Sequence, residues 1–86
     1  MGWNYRVVKH VKGDGTPPNG DTDYGVYEVY YNEDGTVRGW TERAVSPGGE
    51  TPKEFRGSLM LYTAAMKRPV LVIRDEKVAG EEQAIR

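Results

Sequence analysis

Three small groups of residues have types that could do chemistry. Asn19, Asp21 and Asp23 stand at the spacing of the first ligands of a calcium-binding loop. That loop needs a glycine for its sharp turn and a closing glutamate, and here Tyr24 and Tyr30 occupy those places, so calcium binding is not expected. His10 is the single histidine; as a general base it would need a nucleophile or a second base at a recognisable spacing, and none accompanies it. Glu28 and Glu42 are the two carboxylates on strand-like segments that could share a metal, but a clustered-carboxylate site asks for more than two. Gly13-Asp14-Gly15 is followed by Thr16-Pro17-Pro18, which breaks a dinucleotide-binding pattern, and there is no phosphate loop ending in Gly-Lys-Ser/Thr. The expectation is a protein that is not an enzyme, with no catalytic, cofactor-binding or metal site and no cofactor.

Composition narrows the classes further. The chain has 86 residues and no cysteine, which sets aside disulfides and thiolate chemistry. Twelve Lys and Arg against 13 Asp and Glu, scattered along the chain, lack the footprint of a phosphate-backbone binder. No window is apolar over the length of a membrane span, and the first ten residues do not read as a signal peptide. A cytoplasmic protein with no membrane partner is expected. A single domain this small buries only about 60 to 65% of its unfolded surface, so association with another chain is the remaining way to add buried area.

The elements that must position any site follow from local pattern. Residues 3–11 (WNYRVVKHV) read as a strand, 12–23 as a Gly/Pro/Asp-rich loop, and 24–31 (YGVYEVYY) as a second strand. Asp34-Gly35 supplies a turn into a third strand at about 36–42 (TVRGWTE). Helix initiation is written out: Thr51 as N-cap, Pro52 in the first helical position, and Glu54 three residues after the cap. Phe55, Leu59, Tyr62 and Met66 form a stripe at i, i+4, i+7 and i+11 that one helix face can bury, and Lys67, Arg68 and Pro69 end the helix. Val70–Ile73 (VLVI) is wholly apolar, the mark of a strand buried on both sides or at a subunit contact.

The expected fold is α+β with order β-β-β-α-β: an antiparallel three-stranded meander, one helix packed on one face, and a short fourth strand. A right-handed crossover makes that strand parallel to the first, giving the order 3-2-1-4. Residues 1–73 form the domain and 74–86 a charged flexible tail. Strand parity, judged from Glu28, turns Tyr27, Val29 and Tyr31 toward the helix, together with Trp3, Tyr5 and Val7. The open face would carry Val8, Tyr24, Val26, Tyr30 and Trp40, rimmed by polar residues that include Arg38 and Glu42. This is the expected site for an unknown protein partner or for self-association. The helix's outer side, with Gly57, Met60, Leu61 and Ala64, is a second surface short of charge.

From Tyr24 to Leu71 the pattern of an EVYY strand, a D-G turn, a W-T-E strand, a G-E-T helix start and P-V-L resembles a group of small, uncharacterised bacterial proteins. More distantly, strands followed by a G-x-T-capped amphipathic helix resemble the HicB-like antitoxin domain, a partial ribonuclease-H-like fold. That resemblance implies binding to a toxin. The chain departs from it in its second hairpin and in having no DNA-binding extension. The functional expectation is therefore a non-catalytic protein-interaction module using the open sheet face, with single-stranded nucleic-acid binding through exposed aromatics as the less favoured alternative.

Overall fold

The structure, a computed structural model, describes residues 2–85; Met1 and Arg86, the ends of the expected domain and tail, lie outside it. The elements are β1 (Gly2–Gly13), β2 (Gly20–Tyr31), β3 (Val37–Trp40), α1 (Pro52–Met66), β4 (Val70–Arg74) and β5 (Lys77–Glu82). They form a mixed sheet of order β3-β2-β1-β4-β5, with β4 parallel to β1 and the other neighbours antiparallel. The expected 3-2-1-4 order is thus present and extended by one strand.

That extra strand corrects the expected tail. Residues 77–82 pair with β4 from Val70↔Glu82 to Arg74↔Lys77. The connection is the two residues Asp75 and Glu76, with φ of 54° and 62°, the left-handed pair that a tight hairpin requires. The central hairpin is also longer than expected. β1 and β2 stay in register from Gly2↔Tyr31 to Gly13↔Gly20, so half of the supposed loop is strand. Gly20 permits this, because a Cβ there would collide with the Lys12 carbonyl and the Gly15 amide. Thr22 Oγ1 then donates to the Gly15 carbonyl at 2.7 Å and closes the tip.

The helix begins where the sequence places it. Thr51 Oγ1 accepts from the Glu54 amide at 3.1 Å, and Glu54 Oε1 accepts from the Glu50 amide at 3.4 Å. Replacing Thr51 with Ala should cost about 1 kcal/mol of stability. Urea unfolding would show it; a change of only a tenth or two would mean the helix does not depend on its cap. At the other end the Arg68 guanidinium donates to the Tyr5 carbonyl at 2.9 Å, fastening the exit of the helix to β1.

Two apolar clusters lie on opposite faces of the sheet. On the helix side, Val7, Val26 and Val70 receive Ala65, with Tyr5, Val45 and Tyr62 around them. On the other side, Val8, Tyr27, Val29, Leu71 and Ile73 pack together, flanked by Tyr31, Val37 and Trp40. No helix covers that second face. It is closed by curling: β3 and β5 stand at opposite edges of the sheet, yet Val37 and Val78 line the same cleft.

In the β2–β3 turn, Asp34 accepts from the Thr36 hydroxyl at 2.6 Å and the Thr36 amide at 3.0 Å. The hydroxyl first, and then the amide, hold the Asp34 carboxyl below its ordinary pKa. A depressed folded-state pKa contributes stability above the unfolded value, about 3.9 for Asp, and that contribution is lost as pH falls through the folded value. Wild type should therefore exceed Asp34→Ala in urea midpoint at neutral pH, and the gap should close in acid. A gap that stays constant down to the folded pKa would contradict the turn bonds.

Candidate functional site

The structure divides the seven residues expected to form one surface. Val8 and Trp40 do lie on the face away from the helix, but Val8 is fully buried there and Trp40 packs against the same cluster. Val26, opposite Val7 in register, is buried beneath the helix, and Tyr24 and Tyr30 share its side of β2. Arg38 is exposed on the edge strand β3, and Glu42 lines a cleft with His10 and Tyr27. The parity of β2 is thus the reverse of that expected, and the seven residues do not share one open sheet face.

Glu28 explains the reversal. Its carboxylate accepts from the Tyr30 hydroxyl at 3.1 Å on the helix side, where solvent still reaches because the helix lies chiefly over β1. That bond, ahead of burial and the nearby charge of Glu28, raises the pKa of the Tyr30 phenol. A carboxylate can therefore sit on the covered side of a sheet whose cover is a single helix. Glu42 lies on the opposite side, so the two carboxylates do not converge.

Two clefts open on the curled face. The first, of about 240 Å³, is polar: His10 stands edge-on to Tyr27 with ring centroids 5.1 Å apart, and Lys12, Asp21 and Asp23 share the lining. Asp21 and Asp23 belong to an extended strand and pair with Lys12 and His10, so they do not wrap a cation as a calcium loop would. Among the described residues there is no group of three or more His, Cys, Asp or Glu able to hold a metal ion.

The second cleft, of about 370 Å³, is floored by Arg6, which is only 5% exposed. Its guanidinium donates to the Pro69 carbonyl from Nε and Nη2 (3.2 and 2.8 Å), to Glu81 at 2.6 Å and to the Tyr31 hydroxyl at 3.4 Å. Burial acts to lower the pKa of this group, but hydrogen bonds to Tyr31 and Glu81 outweigh it and hold the group charged. Arg6 is tied into the fold on every side, which marks it as a brace between strands.

The helix presents the remaining surface. Of its 15 residues only Ala65 is buried. The stripe expected to be covered is only partly covered: Tyr62 packs on the core, but Phe55 is 45%, Leu59 42% and Met66 37% exposed. On the opposite flank Met60 is 66% and Leu61 48% exposed. The helix is rotated so that small Ala65 and the edge of Tyr62 meet Val7, Val26 and Val70, which lets its axis approach β1 closely. Beside the second flank, Tyr5, Ser46, Gly48, Gly57, Met60 and Leu61 line a shallow cleft of about 740 Å³. No family model, curated protein or solved structure matches the chain.

The sequence carried a signal for the helix surface: apolar residues fall on both flanks of α1, more than one seat on a sheet can cover. Trp3, 55% exposed and 5.6 Å from the Tyr5 ring, extends the apolar surface beyond the cleft. Among the described residues no helix is long and apolar enough to cross a membrane.

Proposed function

We propose that this chain is a non-catalytic, cytoplasmic protein-interaction module whose contact surface is the exposed apolar part of α1 and the cleft beside it. One observation carries the reading: five large apolar side chains of a single 15-residue helix, Phe55, Leu59, Met60, Leu61 and Met66, face solvent. Met60 and Leu61 with the cleft beside them form the apolar patch of one flank, and Phe55, Leu59 and Met66 that of the other; exposed apolar patches mark interaction sites. A 15-residue helix is also marginal alone in water and depends on burial of its apolar faces, which the sheet supplies only at Ala65 and Tyr62.

A HicB-like relation, with a toxin as partner, draws support from the β-β-β-α-β order and the parallel pairing of β4 with β1. The strand β5 is an addition to that pattern. Single-stranded nucleic-acid binding has one observation in its favour: Tyr24 is 52% exposed with Lys9 Nζ 6.0 Å from its ring centre. Lys9 is, however, engaged by Glu82 at 3.0 Å, which weakens the site for phosphate.

Phe55→Glu and Leu61→Glu variants test the reading. Both positions are exposed, so folding measured by circular dichroism should be unchanged while association, with itself or with a captured protein, is lost. Retention of all association in both variants would sink the helix surface. Oligonucleotide binding that weakens with salt would favour the nucleic-acid alternative instead.

A further inference from the structure

We infer that the helix surface pairs with the same surface on a second copy of this chain, the two helices crossing antiparallel near Gly57 and Leu61. The inference rests on the interaction reading above and names its partner.

Area argues first. The chain exposes 6161 Å², whereas a compact monomer of 9.7 kDa exposes about 5,100 Å². Its radius of gyration is 13.9 Å, against about 12 Å for a compact domain of this length. The surplus of roughly 1,000 Å² belongs to the whole chain, whose extents are 42 × 34 × 24 Å, and it leaves room for the ~800 Å² that each partner gives to an interface of standard size.

Shape argues second. A two-fold contact uses one patch on both subunits, so the patch must complement itself. Here a knob and its hole lie side by side. Met60, the most exposed large apolar residue, projects next to the cleft bounded by Gly57, Leu61 and Tyr5. A Cβ built on Gly57 meets nothing within 4 Å, so the helix surface is low there and open to close approach by another chain. With the two-fold axis near Gly57 and Leu61, Met60 of each copy enters the cleft of the other.

Charge is compatible with that arrangement. The antiparallel crossing brings Glu50 and Glu54, at the helix start, toward Lys67 at the helix end of the other copy. It also sets the two helix dipoles in opposition, which is the favourable orientation. The net charge of −1 per chain gives little repulsion between copies. The apolar character of the patch is that of homodimer interfaces, which are less polar than those between transient partners.

The test is sedimentation equilibrium of the whole chain over a wide concentration range. Wild type should show twice the 9.7 kDa mass and dissociate on dilution. Met60→Glu, with unchanged circular dichroism, should raise the dissociation constant by about 30-fold or more, as loss of a central interface residue does. Because the chain has no cysteine, Gly57→Cys provides an independent reading. It should cross-link to a covalent dimer under mild oxidation, while Glu33→Cys, in the distant β2–β3 turn, should not.

A dimer unaffected by Met60→Glu and not trapped through Gly57→Cys would overturn the inference by placing self-association elsewhere. A wild-type monomer at all concentrations would overturn it too. If that monomer captures a different protein, or vesicles of anionic lipid, through a contact abolished by Met60→Glu, only the second-copy inference falls. If it captures nothing, the interaction reading falls with it.

Discussion

Leu71→Ala should destabilise this chain by about 3 kcal/mol, within the range of roughly 2–5 kcal/mol for truncating a buried leucine. Leu71 is 1% exposed and belongs to the cluster of Val8, Tyr27, Val29 and Ile73 on the face without a helix. The loss has two parts, the transfer of the removed methyl groups and the void left in a face that can relax only by uncurling the sheet. A domain of this size has about 5–10 kcal/mol in total, so the variant should lose a third or more of its stability. With a urea dependence of about 1–1.5 kcal/mol/M, the midpoint should fall by roughly 2–3 M. Leu61→Ala makes the same chemical change on a half-exposed helix position and should cost under about 1 kcal/mol in the monomer. Equal effects at the two positions would mean that the curled face is not the core.

Arg6→Ala should cost nearly as much, about 2–4 kcal/mol, for a different reason. The guanidinium links four parts of the chain: β1, which carries it; Tyr31 of β2; the Pro69 carbonyl ahead of β4; and Glu81 of β5. Tyr31 in turn donates to Asn4 Oδ1 at 2.8 Å, so the network runs on through one more side chain. Alanine would leave a void and strip the Pro69 carbonyl of two donors. Arg6→Met keeps the volume and removes only the polar contacts, so it should recover about half of the loss. Glu81→Ala should cost less than about 1 kcal/mol, because its side chain is 54% exposed and the ion pair is screened by solvent on that side. Denaturant titration of the three variants separates packing from pairing. An Arg6→Ala loss below that of Glu81→Ala would show that the arginine braces nothing.

How much of this was legible in the chain varies with the range of the interaction. The helix start at Thr51, Pro52 and Glu54 and its stop before Pro69 follow from neighbours within four residues, and both stand where the sequence puts them. The turn at Asp34-Gly35 and the parallel placement of β4 beside β1 follow from local chemistry and from chain handedness. β5 was half legible. Val70–Ile73 is apolar throughout, which suits an internal strand or a subunit contact, and pairing with β5 makes it internal. The charged composition of Lys77–Glu82 hid that strand, since every one of its side chains is exposed.

Alternation placed the faces of β1 and of Trp40 correctly but could not place those of β2. In β2 one parity holds Tyr24, Val26 and Tyr30 and the other Tyr27, Val29 and Tyr31, so both look apolar, and Glu28 alone broke the tie in the wrong direction. Alternation reports which side is buried only when the other side is wet. Here one face is covered in part by a helix and the other is closed by the sheet's own curl, and curl is a property of all five strands together. By itself the sequence determined where the helix begins and ends and the order in which the first four strands pair, because those depend on capping, turn chemistry and chirality acting over a few residues. Only the tertiary structure decided which face became core and left the helix flank bare, because burial depends on what the distant edge strands β3 and β5 enclose.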